Sequence, residues 1–160
     1  MPKGKELGSV LLTGGKSTLG QAIAASLAPF ASNITITSRD PSNPKDEIKA
    51  DFRTPDGLAE LRHWFSQGHT VNTLVNNAGV YLRRPLAEMS WQDWQDLFSV
   101  NLFATAEITR LALLVGCTNV INITDSGWHR AWPNHSAYLA AKAGVGALTR
   151  PLAWELAPTV

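Results

Sequence analysis

Val10-Leu11-Leu12-Thr13-Gly14-Gly15-Lys16-Ser17-Thr18-Leu19-Gly20 is an apolar run that stops at glycines and leads into the helical pattern of Gln21 to Leu27. It reads as strand, glycine turn and helix, the opening unit of an open α/β sheet. Such a turn presents backbone N–H groups at a helix N-terminus, where the helix dipole favours a diphosphate, and its glycines let the backbone come close. Gly14, Lys16, Ser17, Thr18, Leu19 and Gly20 are therefore candidate nucleotide contacts, with Lys16 adding positive charge. The stretch is not a Walker loop, because Lys16 precedes the closing glycine instead of following it.

Asn33-Ile34-Thr35-Ile36-Thr37 alternates and is β-branched, so a second strand is expected there, ending at Ser38-Arg39. At such a strand end an acid suits the ribose hydroxyls of NAD, whereas a hydroxyl and a guanidinium suit the 2′-phosphate of NADP. Ser38 and Arg39 select NADP, hence NADPH as the reductant. Asp40 keeps NAD as the alternative, since a register one residue later would bring a carboxylate to the ribose. Residues 40–46 form a turn-rich loop too short for a helix, so the crossover to a third strand at Glu47 to Ala50 runs without one; seven extended residues span roughly 23 Å. Asp51 and Phe52 follow at the C-terminal end of that strand, where they would flank the adenine.

Thr54 to Phe65 carries Leu58, Leu61 and Phe65 on one helical face. Thr73-Leu74-Val75 is a short buried strand ending in Asn76-Asn77-Ala78-Gly79, small and amide-bearing residues that bridge backbones and admit a cofactor. Asn77, Ala78 and Gly79 join the cofactor set. Ser90-Trp91-Gln92-Asp93 has the form of a capping box and opens a helix with Trp94, Leu97 and Phe98 inward. A further helical stretch, Leu102 to Leu114, begins after Asn101. Asn119 to Thr124 is the last clear strand, and it delivers Asp125 and Ser126 to the end where an α/β sheet keeps its chemistry.

A chain of 160 residues with 44% hydrophobic content suits one compact domain. A net charge of +1, spread along the chain, gives no footprint for nucleic acid or an anionic membrane, so a small-molecule partner is expected. Cys117 is the only cysteine, which rules out an intrachain disulfide and leaves no zinc-ligand set. His63, His69, His129 and His135 lack metal-like spacing and read as solvated. The charged opening Met1 to Gly8 leads into only a short apolar run, and no stretch reaches the ~18 apolar residues of a membrane span. A cytoplasmic protein is expected.

Asp125 to Lys142 holds the residues with chemistry to offer. Tyr138 and Lys142 lie in an Ala- and Leu-rich run that reads as helix, and a spacing of four stacks them on one face. A phenol with a pKa of about 10 is a poor acid or base at neutral pH, and a neighbouring ammonium lowers that pKa. Lys142 would thus make Tyr138 a usable proton donor.

Thr13-Gly14-x-x-x-x-Leu19-Gly20, Asn76-Asn77-Ala78-Gly79, Asn101 and Tyr138-x-x-x-Lys142, in this order, resemble the short-chain dehydrogenase/reductases along the whole chain. The resemblance implies a doubly wound, Rossmann-like parallel sheet in three α/β/α layers that binds a nicotinamide cofactor. It implies Tyr138 as acid/base, Lys142 lowering its pKa and holding the nicotinamide ribose, and Asn101 supporting a proton relay through water. Two positions depart from the common pattern. The serine that usually stands about thirteen residues before the tyrosine is Asp125 here, and Thr18 replaces the middle glycine of the turn.

With Ser38-Arg39 and Ala50-Asp51-Phe52, these departures resemble the pteridine reductase and dihydromonapterin reductase branch, which implies a dihydropterin substrate. A carboxylate accepts hydrogen bonds from ring or amino N–H groups, whereas a serine hydroxyl suits a ketone oxygen. The alternative places Ser126 in the serine's role after a one-residue slip, with a carbonyl compound as substrate. Because strand side chains alternate faces, Asp125 and Ser126 cannot both face the site from a regular strand. Trp128 and Trp132 either stack on a flat ring or serve as packing and rim. Related chains continue beyond the helix that ends at residues 152–160 into two further strands. The resemblance therefore implies a truncated fold lacking those strands, an exposed edge at Asn119 to Thr124, and homo-oligomers through residues 102–114 and 136–156. Nucleotide binding with little turnover is the third reading. Pro151 removes an N–H inside the last helix, a cost of about 3 kcal/mol unless the helix bends.

Overall fold

The computed structural model describes residues 7–43, 45–130 and 132–160; the charged opening Met1 to Glu6, Pro44 of the turn-rich loop and Ala131 lie outside the described residues. Five parallel strands, β1 (Gly8–Leu12), β2 (Ala31–Ser38), β3 (Glu47–Lys49), β4 (Thr73–Asn76) and β5 (Asn119–Asn122), form one sheet in the order β3-β2-β1-β4-β5. The order reverses between β1 and β4, which opens a crevice outside their C-terminal ends. This is the Rossmann-like doubly wound fold expected from the sequence.

Strand periodicity of two sorts the core onto the two sheet faces. Val10 and Leu12 of β1 pack with Val75, Ile23, Ala24 and Leu27 on the side of α1 (Thr18–Leu27). Leu11 and Leu74 point the other way, joining Leu61 and Phe65 of α2 (Pro55–Ser66) and Ile108 and Leu111 of α4 (Ala104–Leu114). Leu11, Leu61 and Leu74 are wholly buried, each such side chain stabilising the fold by roughly 1.5–3 kcal/mol. Helix α1 begins at Thr18, earlier than the apolar pattern indicates, because Ser17 caps it by accepting a hydrogen bond from the Gly20 N–H at 3.0 Å.

The crossing from β2 to β3 has no helix, as the loop length requires. Its polar groups are satisfied locally: Ser42 N–H donates to Glu47, Asn43 Nδ2 donates to Asp46 at 2.9 Å, and the Lys16 ammonium pairs with Glu47 at 2.9 Å. The Ser90 capping box forms, and it opens α3 (Trp91–Phe98). Where the sequence suggests a break before Asn101, the helix instead runs on through a π turn, Ser99–Phe103, into α4. By length and mean composition the helical run Trp91–Leu114 would pass for a membrane span, but charged residues interrupt it, so it is not the unbroken apolar stretch a span needs, and half of its apolar window is buried inside the fold.

β5 is an edge strand. Its four residues alternate between exposed and half-buried, and Ile121 is 43% exposed. Asn122 lies in register beside Asn76, whose Nδ2 donates to Asn122 Oδ1 at 2.8 Å and to Thr109 Oγ1 at 3.0 Å; Asn122 Nδ2 donates in turn to Thr149 Oγ1 at 2.9 Å. Helix α5 (Ser136–Leu156) carries Tyr138 and Lys142 and continues through Pro151. The carbonyl that Pro151 leaves without a donor belongs to Ala147, an exposed residue, so the missing N–H does not leave a buried acceptor unpaired.

Candidate active site

A cleft of about 630 Å³ follows the C-terminal ends of the strands from Gly14 and Lys16, past Asn77 to Gly79, to Tyr138 and Lys142. At its nucleotide end Gly14 has φ 66°, and a Cβ there would come within 2.9 Å of Ala78 Cα. Thr13 Oγ1 accepts the N–H groups of Asn77 and Ala78 at 3.0 and 2.9 Å, while Asn77 Nδ2 donates to the Thr13 and Gly14 carbonyls at 3.0 and 3.1 Å. These bonds lock the β4 end onto the glycine turn. Asn77 thus orders the backbone as well as lining the cleft.

The remaining turn residues divide. Lys16, Ser17 and Leu19 line the cleft, but Lys16 is engaged by Glu47, Asp40 O and Ser42 Oγ, so its charge is already compensated. Thr18 and Gly20 are not among the residues that line it. Thr18 is the exposed first residue of α1, and Gly20 is buried, where a Cβ would lie 2.4 Å from Gly14 O. Gly20 is a packing requirement of the turn.

At the end of β2 Ser38 is buried and its Oγ accepts the Asp40 N–H at 3.1 Å. Arg39 and Asp40 are exposed and line the cleft with Asp51 and Phe52. Among the described residues Arg39 makes no ion pair, whereas Arg53 holds Asp51. That hydrogen bond keeps the Asp51 carboxyl below the usual range. Phe52 both lines the cleft and belongs to the core, at 6% exposure.

At the far end Tyr138 Oη donates to Asp125 Oδ2 at 2.8 Å, while Asp125 Oδ1 accepts the Gly127 N–H at 2.7 Å. The carboxylate is held from both sides. Ser126 is exposed and outside the cleft lining, and it is Asp125 that meets the Tyr138 hydroxyl. Lys142 is buried and its Nζ donates to Ile123 O at 2.9 Å. Burial lowers the Lys142 pKa, with the Asp125 charge working against it. Tyr138 is pushed well above the ordinary phenol value, first by burial and then by its hydrogen bond to Asp125. The expectation that Lys142 lowers the Tyr138 pKa is therefore corrected: the lysine is turned to a backbone carbonyl, and the group beside the phenol is an acid.

Asn101, in the π turn, is fully buried; its amide exchanges two bonds with the Val80 backbone at 3.2 and 2.9 Å. A Cβ on Gly79 would stand 2.9 Å from Asn101 Oδ1 and 3.5 Å from Lys142 Nζ, so these two polar groups flank one narrow spot. Trp128 and Trp132 are outside the cleft lining. Trp128 lies over Gly146 and His129, and Trp132 packs edge-on against His135, which makes them packing and rim.

Two residues of this end escape sequence reasoning. Tyr81 lines the cleft, and its hydroxyl meets Nε2 of His135, a buried histidine and not the solvated one expected. Only an aromatic two residues beyond Gly79 hints at the first. The second lies 54 residues away from it in sequence. Among the described residues no cluster of His, Cys, Asp or Glu is placed to hold a metal.

The cleft fits a nicotinamide dinucleotide. The capped start of α1 and the side-chain-free Gly14 suit a diphosphate, the residues after β2 and β3 suit a ribose and base, and Gly79 leaves room before Asn101 and Lys142.

Comparison with known proteins agrees. A family model described as short chain dehydrogenase matches residues 9–160. The 3-oxoacyl-[acyl-carrier-protein] reductase FabG of Staphylococcus epidermidis is 30% identical, over 93% of this chain and 69% of its own. A metagenomic short-chain oxidoreductase solved with NADP superposes with a TM-score of 0.84 at 25% identity, covering 94% of this chain and 77% of the other. A short chain dehydrogenase/reductase family oxidoreductase from Brucella ovis, solved with a partially ordered NAD, does so at 0.81 and 28%, covering 94% and 78%. The chain spans about two thirds of the length of the curated relatives it matches.

Proposed function

Because the chain belongs to the short chain dehydrogenase family, we propose that it is an NADPH-dependent reductase whose substrate is the C=N bond of a dihydropterin. The observation that carries this reading is the Tyr138–Asp125 hydrogen bond of 2.8 Å inside the cleft that begins at the glycine turn. A bound NADPH supplies the hydride. Tyr138 gives its phenolic proton to the nitrogen as the carbon is reduced; its raised pKa keeps that proton in place at neutral pH and makes the phenol a weaker acid, so the charge developing on the nitrogen has to draw the proton across. Asp125 offers an acceptor to ring or amino N–H groups. Asn101 would support a proton relay through water, and Lys142 would hold the nicotinamide ribose.

NADP is favoured over NAD because Arg39 makes no ion pair among the described residues where the cleft would take the ribose, whereas Lys16 and Arg53 are neutralised by Glu47 and Asp51. Arg39→Ala is expected to weaken NADPH by about 1.5–3 kcal/mol and leave NADH nearly unchanged. Fluorescence titration with both nucleotides checks this; equal losses would remove the 2′-phosphate role.

Carbonyl reduction is the second reading, favoured by the likeness to a 3-oxoacyl reductase, with Asp125 standing where a serine was expected. NADPH oxidation with 7,8-dihydrobiopterin and dihydromonapterin against a panel of ketones and aldehydes decides between the two, and turnover of carbonyls alone would sink the pterin assignment. Nucleotide binding with no turnover on either panel would favour a nucleotide-binding role, a reading that the exposed β5 edge beside the catalytic end keeps open. A reducing cytoplasm suits the single buried Cys117. Exposed Phe103, Leu114 and Trp154 on α4, its π turn and α5 suit association with a second copy.

A further inference from the structure

The loops after β4 and before α5 are joined where Arg84 N–H donates to Asn134 O at 2.8 Å, with Asn134 at φ 67°. Across this junction His135 Nδ1 lies 2.7 Å from Pro133 O and its Nε2 meets the Tyr81 hydroxyl. A carbonyl only accepts, so Nδ1 carries the proton; in the neutral imidazole Nε2 is then an acceptor, and Tyr81 donates its one hydroxyl proton to it. The phenol oxygen keeps its lone pairs. Its ring packs edge-to-face on Tyr138 with centroids 5.0 Å apart, lines the same cleft and remains 61% exposed, while His135 is buried against Trp132. A tyrosine kept in water while its only proton is tied to a buried histidine presents a fixed acceptor to whatever enters beside Tyr138.

We propose that Tyr81 and His135 form the substrate-recognition pair of the cleft: Tyr81 Oη accepts a hydrogen bond from an O–H or N–H that the substrate carries beside the bond being reduced. His135 is a positioning residue that keeps Tyr81 an acceptor. The inference rests on the reductase reading and narrows its substrate class to compounds with a donor next to the reacting carbon. A purely hydrocarbon neighbour at that place would strip water from the phenol oxygen and return nothing, which is how a polar site rejects an analogue lacking the donor.

Hydroxyacetone and butanone, close in size but differing in the O–H beside the carbonyl, are suitable probes. Ligand-observed NMR titration of the full chain with saturating NADP⁺ gives their affinities, and NADPH oxidation gives turnover. Hydroxyacetone is expected to bind roughly five- to tenfold more tightly, the scale of one hydrogen bond. Tyr81→Phe abolishes that preference and raises KM for hydroxyacetone by a larger factor than it changes kcat. His135→Gln, whose amide oxygen also accepts from a phenol, retains most of the preference, whereas His135→Leu loses it; Tyr81→Phe, on an exposed ring, decides alone if His135→Leu does not fold. Equal affinities in the unmodified chain, a preference that survives Tyr81→Phe, or no binding of either probe overturns the proposal. A preference without NADPH oxidation by hydroxyacetone or by a dihydropterin counts against the reductase reading only, and oxidation without a preference counts against this pair only.

Discussion

Tyr138→Phe is expected to lower turnover by about 10²- to 10⁴-fold, the range of a lost general acid, while leaving NADPH affinity within about twofold. The substitution removes one oxygen and keeps the ring that packs on Tyr81. That oxygen is the donor to Asp125, so Asp125 Oδ2 loses a partner in a cleft that water can reach, and the fold should hold. Because burial and Asp125 raise the Tyr138 pKa, the phenol stays protonated through neutral pH. Reduction should therefore show no loss attributable to this group until the pH passes about 10, the ordinary phenol value. A kcat profile that declined through pH 7 to 9 only when Tyr138 is present would mean that its pKa is lowered after all. Unchanged kcat in the phenylalanine variant would remove Tyr138 from the chemistry.

Gly20→Ala is expected to be the most damaging single substitution at the nucleotide end. The added Cβ would lie 2.4 Å from Gly14 O and 2.9 Å from the Gly15 backbone, all main-chain atoms of the turn itself. Relief requires moving α1 off the turn, at a cost of about 1–3 kcal/mol in stability, and the displaced turn should bind NADPH at least roughly tenfold more weakly. Ala25→Gln, exposed on the same helix, serves as the control and should fall within about 0.5 kcal/mol of the parent. Urea unfolding and nucleotide titration of both variants test the pair. Parity of Gly20→Ala with the control would mean that the turn tolerates a side chain there.

Signals local in sequence proved easiest to read. Val10 to Gly20 announced strand, turn and helix because an apolar run, glycines and a 3.6-residue period follow one another directly, and the short span from Asp40 to Asp46 left no room for a helix. Asp125 was legible through the family resemblance, which expects a functional side chain about thirteen residues before Tyr138. Directions and partnerships were not. The four-residue spacing of Tyr138 and Lys142 placed them on one helix face, but whether an ammonium or a carboxylate reaches the phenol depends on Ile123 O and Asp125, both outside that helix. His135 looked solvated because its partners, Tyr81 and the folded-back Pro133 carbonyl, become neighbours only when two loops meet. The π turn at Ser99–Phe103 resembled a break because an extra residue in a helix disturbs the periodicity by which a continuous helix is recognised.

The Asn76–Asn122 pair bears on how the last strand finds its alignment. A four-residue edge strand with neutral side chains has little backbone pairing to hold it, and a slip of one residue would exchange every side chain between faces. Shifting β5 by one position would set Ile121 or Ile123 opposite Asn76, break the amide bridge to Thr149 on α5 and leave Asn76, already with one uncompensated buried oxygen, without its strand partner. Misaligned forms are thus penalised by more than lost apolar contact. The same alignment decides that Asp125, three residues further on, arrives at Tyr138, so the amide pair acts as a proofreading step in assembly on which the chemistry at the sheet's end depends.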